Sequence, residues 1–337
     1  MLKSLGLLTS ISILIISCKV DPEERLTPVS PSIEVNLVRY DHLLPEAVSA
    51  GQSDILFRSY PEFSEVFLNQ IVGLGPDPEE LIQFLQDSSI HNVSRSVEDM
   101  YADLSGVEPR LAQAIENYCR LFEIPLSQAP AVYTFIGGFS YQTFVFSDAE
   151  GEGVGVGLDM FLGEKFPYGR IDPMNPAFSA YVSRAFTSEH IPKKVIEVLV
   201  EDKLPPPEGT DFLSIILWGG KKLYLMDQIL TFEPDSIIHE YTAAQMRWCR
   251  SNQPEMWSFF FEKELFYDTN FRSFSKLVSP APTSPGMPPE APGRTGNYMG
   301  QQIINAYMLR YPETSIQQLI ALQDAQQILE NSRYRPG

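Results

Sequence analysis

His239 and Glu240, in the run Ile238-His239-Glu240-Tyr241-Thr242-Ala243, begin the pattern H-E-x-x-H. On a helix, two histidines four apart lie on one face and grip a zinc ion, and the Glu between them activates the bound water. Here Ala243 stands where the second His is needed, and His42, His91 and His190 show no paired spacing. One imidazole does not hold a catalytic zinc without distant ligands. The two residues therefore read as opening an ordinary helix after Pro234-Asp235-Ser236, and neither a metal site nor a cofactor is expected. The glycine-rich run Gly151-Glu152-Gly153-Val154-Gly155-Val156-Gly157 lacks the Lys-Ser/Thr of a phosphate-binding loop and reads as a hairpin turn entering a strand. A nucleophile elbow, G-x-S-x-G, is absent, and Gly138-Phe139-Ser140 lacks its framing. Arg247-Trp248 and Glu255-Met256-Trp257 read as the edges of amphipathic helices. No catalytic residue is assigned, and the chain is not expected to be an enzyme.

The elements around these residues belong to a folded chain. Hydrophobic residues make up 44% of the 337 and aromatics 12%, which excludes a disordered polyanion. Lys and Arg number 25 against 43 Asp and Glu, a net charge of −18. That balance argues against nucleic acid as a partner, because phosphate neutralisation needs cations in excess. It argues equally against electrostatic docking on an anionic membrane face. Three Cys are too few for a disulfide framework.

Membrane attachment is expected by another route. Lys3 precedes the uncharged stretch Leu5–Ile16, which is shorter than the roughly 20 residues that span a bilayer and suits a signal peptide. The stretch ends in Ile15-Ile16-Ser17-Cys18, which is similar to a bacterial lipobox. Residues 1–17 are then a removed lipoprotein signal, and Cys18 carries the acyl chains that hold the chain on the bilayer. Residues 18–32 form a charged, Pro- and Ser-containing tether. Lys19 is not the Asp that retains lipoproteins in the inner membrane, so an outer-membrane position is expected. The periplasmic face is favoured there. Asp21, Glu23 and Glu24 resemble a surface-export tether, which keeps surface exposure as the alternative.

The rest, residues 33–337, reads as one helix-rich α+β domain with a small antiparallel-type sheet. Residues 33–40 alternate as a strand. Helices are expected at the stretch opened by Pro61, after Asp77-Pro78, and on both sides of Ser105-Gly106. Strands punctuated by Gly follow at 131–159, joined as a hairpin or meander. Further helices are expected at 176–186, 189–202, 210–229, 235–250, 253–266, 295–310 and 314–330. Cys119 falls on an apolar stripe and reads as a core thiol. The Pro-rich loop 279–293 admits no helix and reads as a lid or a disordered excursion.

Several phrases occur together in order. They are Val35-Asn36-Leu37-Val38-Arg39-Tyr40-Asp41, Tyr60-Pro61-Glu62-Phe63, Gly157-Leu158-Asp159-Met160-Phe161-Leu162-Gly163 and Gly219-Gly220-Lys221-Lys222-Leu223-Tyr224. Later come Tyr241-Thr242 with Gln245 and Trp248, Glu255-Met256-Trp257, Pro292-Gly293-Arg294-Thr295-Gly296 through Gly300, and Ser332-Arg333-Tyr334-Arg335-Pro336. Behind a lipobox, this set resembles the gliding motility-associated lipoprotein GldB family of Bacteroidota. The resemblance implies a non-catalytic envelope lipoprotein that supports gliding or the associated outer-membrane secretion machinery, with other envelope proteins as partners. It marks Gly157, Leu158, Asp159, Gly163, Gly220, Lys221, Gly296 and Gly300 as motif positions without an assigned role. A fainter resemblance, to DUF2268-type zinc peptidases, implies a degenerate zincin-like scaffold. In those relatives a helix carrying H-E-x-x-H corresponds to 191–202 here, which holds no His of the motif. A substrate-binding lipoprotein with a cleft in the aromatic-rich C-terminal half is the remaining alternative.

Overall fold

The computed structural model describes residues 30–75, 77–149 and 151–336. The signal segment 1–17, Cys18 and most of the tether lie outside the described residues.

The chain is α+β and mainly helical. Its strands are β1 (Leu37–Val38), β2 (Ala131–Phe135), β3 (Thr143–Asp148) and β4 (Gly151–Gly157), paired in the order β1-β2-β4-β3. The expected antiparallel hairpin is β3–β4, in register from Thr143 opposite Val156 to Asp148 opposite Gly151. The pairings β1–β2 and β2–β4 are parallel, so the sheet is mixed. After β2 the chain loops out and returns as the far strand β3, and the hairpin then lays β4 beside β2. Every residue of β2 is buried, which fits a sheet covered on both faces. Tyr133 and Phe135 face an aromatic cluster with Tyr40, Phe63, Phe67 and Phe146, where Phe63 stacks on Tyr133 at 4.8 Å. Val132, Val154 and Val156 face the opposite core.

The glycines of β4 have a packing role. A Cβ on Gly153 would stand 2.2 Å from the Phe146 ring, and one on Gly155 2.4 Å from Phe144. The two rings of β3 lie flat across the neighbouring strand, and only glycine leaves room for them.

The helices are α1 (Tyr40–Ser49), α2 (Ser53–Ser59), α3 (Pro61–Ser64, continued by a π-helical stretch Glu65–Val72), α4 (Pro78–Gln86), α5 (Ser88–Tyr101) and α6 (Glu108–Leu121). After the sheet come α7 (Ala180–Ser183), α8 (Ile191–Lys203), α9 (Phe212–Ile229), α10 (Asp235–His239), α11 (Ala243–Ser251) and α12 (Gln253–Glu262). The last are α13 (Phe271–Val278), α14 (Thr295–Arg310), α15 (Ile316–Ala321) and α16 (Ala325–Ser332). None of the described helices is long and apolar enough to cross a membrane.

Four expectations change. The strand expected at 33–40 shrinks to two residues, because Tyr40 already starts α1 and its ring is buried in the aromatic cluster. The stretch 176–186 forms a single 3₁₀ turn and the one-turn α7. The helix expected at 314–330 is two helices, each with its own N-cap, Ser315 and Asp324. Finally, the loop 279–293 packs as a strap, with Ser284 and Ala291 buried. Ser284 Oγ donates to the Pro292 carbonyl at 2.6 Å, and Tyr241 Oη donates to the Gly293 carbonyl at 2.8 Å. Proline suits such a strap because it brings no N–H that would need a partner.

Helix α9 ties the halves together. Its first turns, Phe212 to Leu217, bury in the C-terminal core with α12–α14, and its last, Leu223 to Ile229, in the core beneath the sheet. It crosses α14 at the motif glycines. A Cβ on Gly220 would stand 2.2 Å from the Gly300 carbonyl carbon, and one on Gly300 1.8 Å from the Ile216 oxygen. Gly296 meets Ile216 and the Leu277 carbonyl in the same way.

Candidate functional site

The side chains that gather in the fold are charged, and they converge on α8. Its residues Val195, Ile196, Leu199 and Val200 face the core. The other side presents Lys193, Lys194, Glu197 and Glu201. Lys193 Nζ lies 2.7 Å from Glu197 and 2.8 Å from Glu240. Lys194 Nζ reaches the same two carboxylates at 3.0 and 2.5 Å. From α9, Lys222 approaches Glu197 at 3.2 Å and Glu201 at 2.6 Å, with its ammonium over the Trp218 ring. From the N-terminus of α14, Arg294 pairs with Glu240 at 3.1 Å and donates to the His239 carbonyl. Arg184, just after α7, donates to the Glu240 carbonyl at 2.8 Å.

Lys193 is 1% exposed, so the centre of the cluster is interior, while Glu201 at its edge is 40% exposed. Its electrostatics follow from proximity. Burial acts against the charge on Glu197 and Glu240, yet the surrounding ammonium groups, Lys193 foremost, hold both carboxyls well below the usual range. Burial pushes Lys193 down, while the carboxylates raise Lys194 and Lys222.

The corner that delivers Glu240 overturns the reading of His239 and Glu240 as the opening of a helix. They close one. Helix α10 ends at His239, and Glu240 takes a left-handed backbone at φ 53°. A new helix starts at Ala243 behind a capping box made by Thr242 and Gln245. The H-E-x-x-H half-motif therefore never lies on one helical face, and Glu240 is turned toward α8. His239 is buried against Tyr241 and Tyr298 and hydrogen-bonded to the Gln301 side chain; burial lowers it to about 3, so it is neutral at physiological pH. His190, also buried, is lowered to about 4. Among the described residues no group of three His, Cys, Asp or Glu is placed to hold a metal ion.

Sequence reading missed this cluster, although it had a signal. Lys193, Lys194 and Glu197 sit at i, i+1 and i+4, the spacing of H-E-x-x-H, in the segment 191–202 where the zinc-peptidase resemblance places that motif. Two lysines in the first turn of a helix also oppose the helix dipole. A local rule broken that way marks a position set by tertiary demands.

The motif positions split by role. Gly220, Gly296 and Gly300 make the α9–α14 crossing. Lys221 donates to the Leu322 carbonyl, and burial lowers it to about 8. Gly157 ends β4, Leu158 and Asp159 open the 3₁₀ turn after it, and Gly163, at φ 90°, donates its N–H to the Phe186 carbonyl. Asp159 is fully buried and accepts the Phe139 N–H at 2.6 Å; burial raises its carboxyl to about 6. These contacts do not bring the motif residues together as one site.

A cavity of about 460 Å³ lies in the N-terminal half, away from the aromatic-rich C-terminal half. Tyr40, Leu44, Phe67, Phe84 and Ile90 line it, with His42, His91 and Glu98 among its polar groups. Asp41, from the first family phrase, also lines it and pairs with Arg39 at 2.8 Å.

Neither a curated protein nor a solved structure matches the chain. The family model for gliding motility protein GldB matches residues 22–336, nearly the whole length. The ordered phrases, the mainly helical α+β fold and this match agree: the chain belongs to the GldB family of gliding motility proteins.

Proposed function

We propose that the chain is a lipid-anchored protein of the cell envelope that supports gliding motility, or the secretion machinery associated with it, by contacts with other envelope proteins and without turnover. Family membership supports the motility role. The lipobox ending at Cys18 supports the anchor, and the charge of the chain leaves a covalent lipid as the means of attachment.

One observation carries the non-catalytic part. Helix α8 keeps the H-E-x-x-H spacing but fills it with Lys193, Lys194 and Glu197, whose charges are neutralised within the protein. Ammonium groups repel a divalent cation, and the carboxylates between them are already engaged. On this reading a zincin-like scaffold is held together by ion pairs where relatives of the fainter resemblance place a metal.

The test is genetic and chemical. Deletion in a gliding host should abolish colony spreading, and a plasmid-borne copy should restore it while a Cys18→Ala copy should not. Unchanged spreading and secretion after deletion would overturn the role. Purified protein should carry no stoichiometric zinc, with His239→Ala indistinguishable from it. Stoichiometric zinc lost on His239→Ala would establish the peptidase reading instead.

A further inference from the structure

The cavity of about 460 Å³ opens at the carboxyl ends of the parallel pair β1–β2. Tyr40, Asp41 and His42 line it where β1 passes into α1, and Phe135 and Ile136 where β2 ends. Open α/β sheets bind ligands in the crevice outside the carboxyl ends of their parallel strands, and about 300–1,000 Å³ is the usual size of a ligand site.

The lining divides by depth. Tyr40, Leu44, Phe67, Ile90, Val97 and Phe135 are buried and form the inner wall. Glu46 on α1 and His91, Arg95 and Glu98 on α5 are exposed and form the mouth, with His42 half-buried. Phe84 and Leu85, at the end of α4, also line the cavity and join none of the packed cores among the described residues.

The polar groups next to the inner wall are already engaged. Tyr40 Oη and Ser64 Oγ share a hydrogen bond at 2.9 Å. Asp41 accepts from Arg39 Nε and Nη2 at 3.0 and 2.8 Å, and from Thr134 Oγ1. Ser94 Oγ donates to the Ile90 carbonyl at 2.7 Å. A polar group pushed inside loses its water partners and finds few replacements, so the inner space suits hydrocarbon. An apolar cavity of about 150 Å³ stays dry and takes benzene; one about three times larger has room for on the order of 15 to 20 non-hydrogen atoms. A flexible chain fills such a space without directional partners, and its polar end stays in water at the mouth.

We propose that this cavity binds the hydrocarbon chain of a single-chain amphiphile, either a free fatty acid or a lysophospholipid. The tail lies against the inner wall, and the polar end sits among the charged side chains of the mouth. On the lipid-anchor reading such molecules are close at hand. The site itself rests on the cavity alone, so the two readings stand or fall separately.

Calorimetric titration tests it, on the mature chain made without its signal and with Cys18→Ser, so that it carries no lipid and needs no detergent. The probes are octanoate, decanoate, dodecanoate, dodecanoyl-lysophosphatidylcholine and naphthoate, each below its micelle concentration. Affinity should rise about fourfold for each CH₂ added between octanoate and dodecanoate. Dodecanoate should bind at least tenfold more tightly than naphthoate, a compact aromatic acid. A lysolipid that binds as tightly as dodecanoate or more so assigns the site to membrane lipids, and a weaker one assigns it to free acids. Leu85→Trp, which fills the cavity from a side chain outside the cores, should weaken dodecanoate at least tenfold. Phe84→Asp, which puts a charge in the apolar wall, should do the same; melting curves confirm that both variants fold. No saturable binding of dodecanoate, an affinity flat across chain length, naphthoate binding as tightly as dodecanoate, or wild-type affinity in the folded variants would each overturn the proposal.

Discussion

The Lys193 side chain is buried and held between two carboxylates. Its ammonium is almost wholly removed from water and touches two carboxylates that Lys194 shares. Breaking a buried pair leaves an uncompensated charge and costs about 3–5 kcal/mol, whereas removing both partners together costs far less. Lys193→Met should therefore destabilise by about 3 kcal/mol, the lower end of that range, because Lys194 remains. Adding Glu240→Gln should cost less on the Lys193→Met background than in the wild type, since the two residues share one network. Denaturant midpoints of the two single variants and the double variant check this; strictly additive losses would contradict the network. The residue chemistry was partly legible. The spacing of Lys193, Lys194 and Glu197 was in plain view, but ion pairs formed with Glu240, Lys222 and Arg294 depend on chain segments between 25 and about 100 residues away, and no local pattern reports them.

At the scale of elements, the helices with their own punctuation were readable. Helices α8, α9 and α14 begin and end within two residues of the periodicity-based expectation, because Pro192, Asp211 and the glycine-rich entry to α14 mark their starts. The parallel pairing of β2 with β4 was not readable, since strand order depends on what covers the sheet. The break at Glu240 was hidden as well: a left-handed Glu has no sequence signature, and Thr242 with Gln245, a capping pair, was the clue to a new helix. The α9–α14 crossing yields a sharp expectation. A methyl group on Gly300 would overlap the Ile216 carbonyl, so the helix backbones must part. Gly300→Ala should cost at least about 2 kcal/mol, since overpacking against backbone has no flexible side chain to absorb it. Gly106→Ala, where a Cβ meets nothing within 4 Å, is the matched control and should stay within about 0.5 kcal/mol of wild type. Thermal melts of the pair decide it.

Across the whole molecule, buried titratable groups oppose one another. His190 and His239 drop from 6.5 to about 4 and about 3 on folding, so the unfolded chain takes up protons first and stability falls as pH drops below 6.5. Asp159 and Asp227 rise from 3.8 to about 6, so the folded chain takes up protons first and stability rises as pH falls from 6 to 3.8. Between pH 6 and 4.5 the two effects nearly cancel. Below 4.5 the depressed Glu197 and Glu240 join the histidines, because their ionised form is the folded one. Stability should therefore be nearly flat from pH 6 to 4.5 and fall steeply below. Asp159→Asn removes one counterweight, and its profile should slope downward through the plateau. Urea midpoints across pH read both curves, and a wild type that loses stability steadily from pH 6.5 would contradict the balance.

Helix α9 lends its first half to one core and its second half to the other. Neither core is complete without it, so opening either one strips a face of the same helix. The amide protons of its middle turns, around Gly219 to Leu223, therefore have no local route to solvent. They should exchange with deuterium among the slowest in the chain, and at a single rate governed by global unfolding. A destabilising change far away, in the aromatic cluster at Phe63 or in the strap at Ser284, should accelerate that exchange by the same factor. In this molecule, damage at either end is felt at the centre.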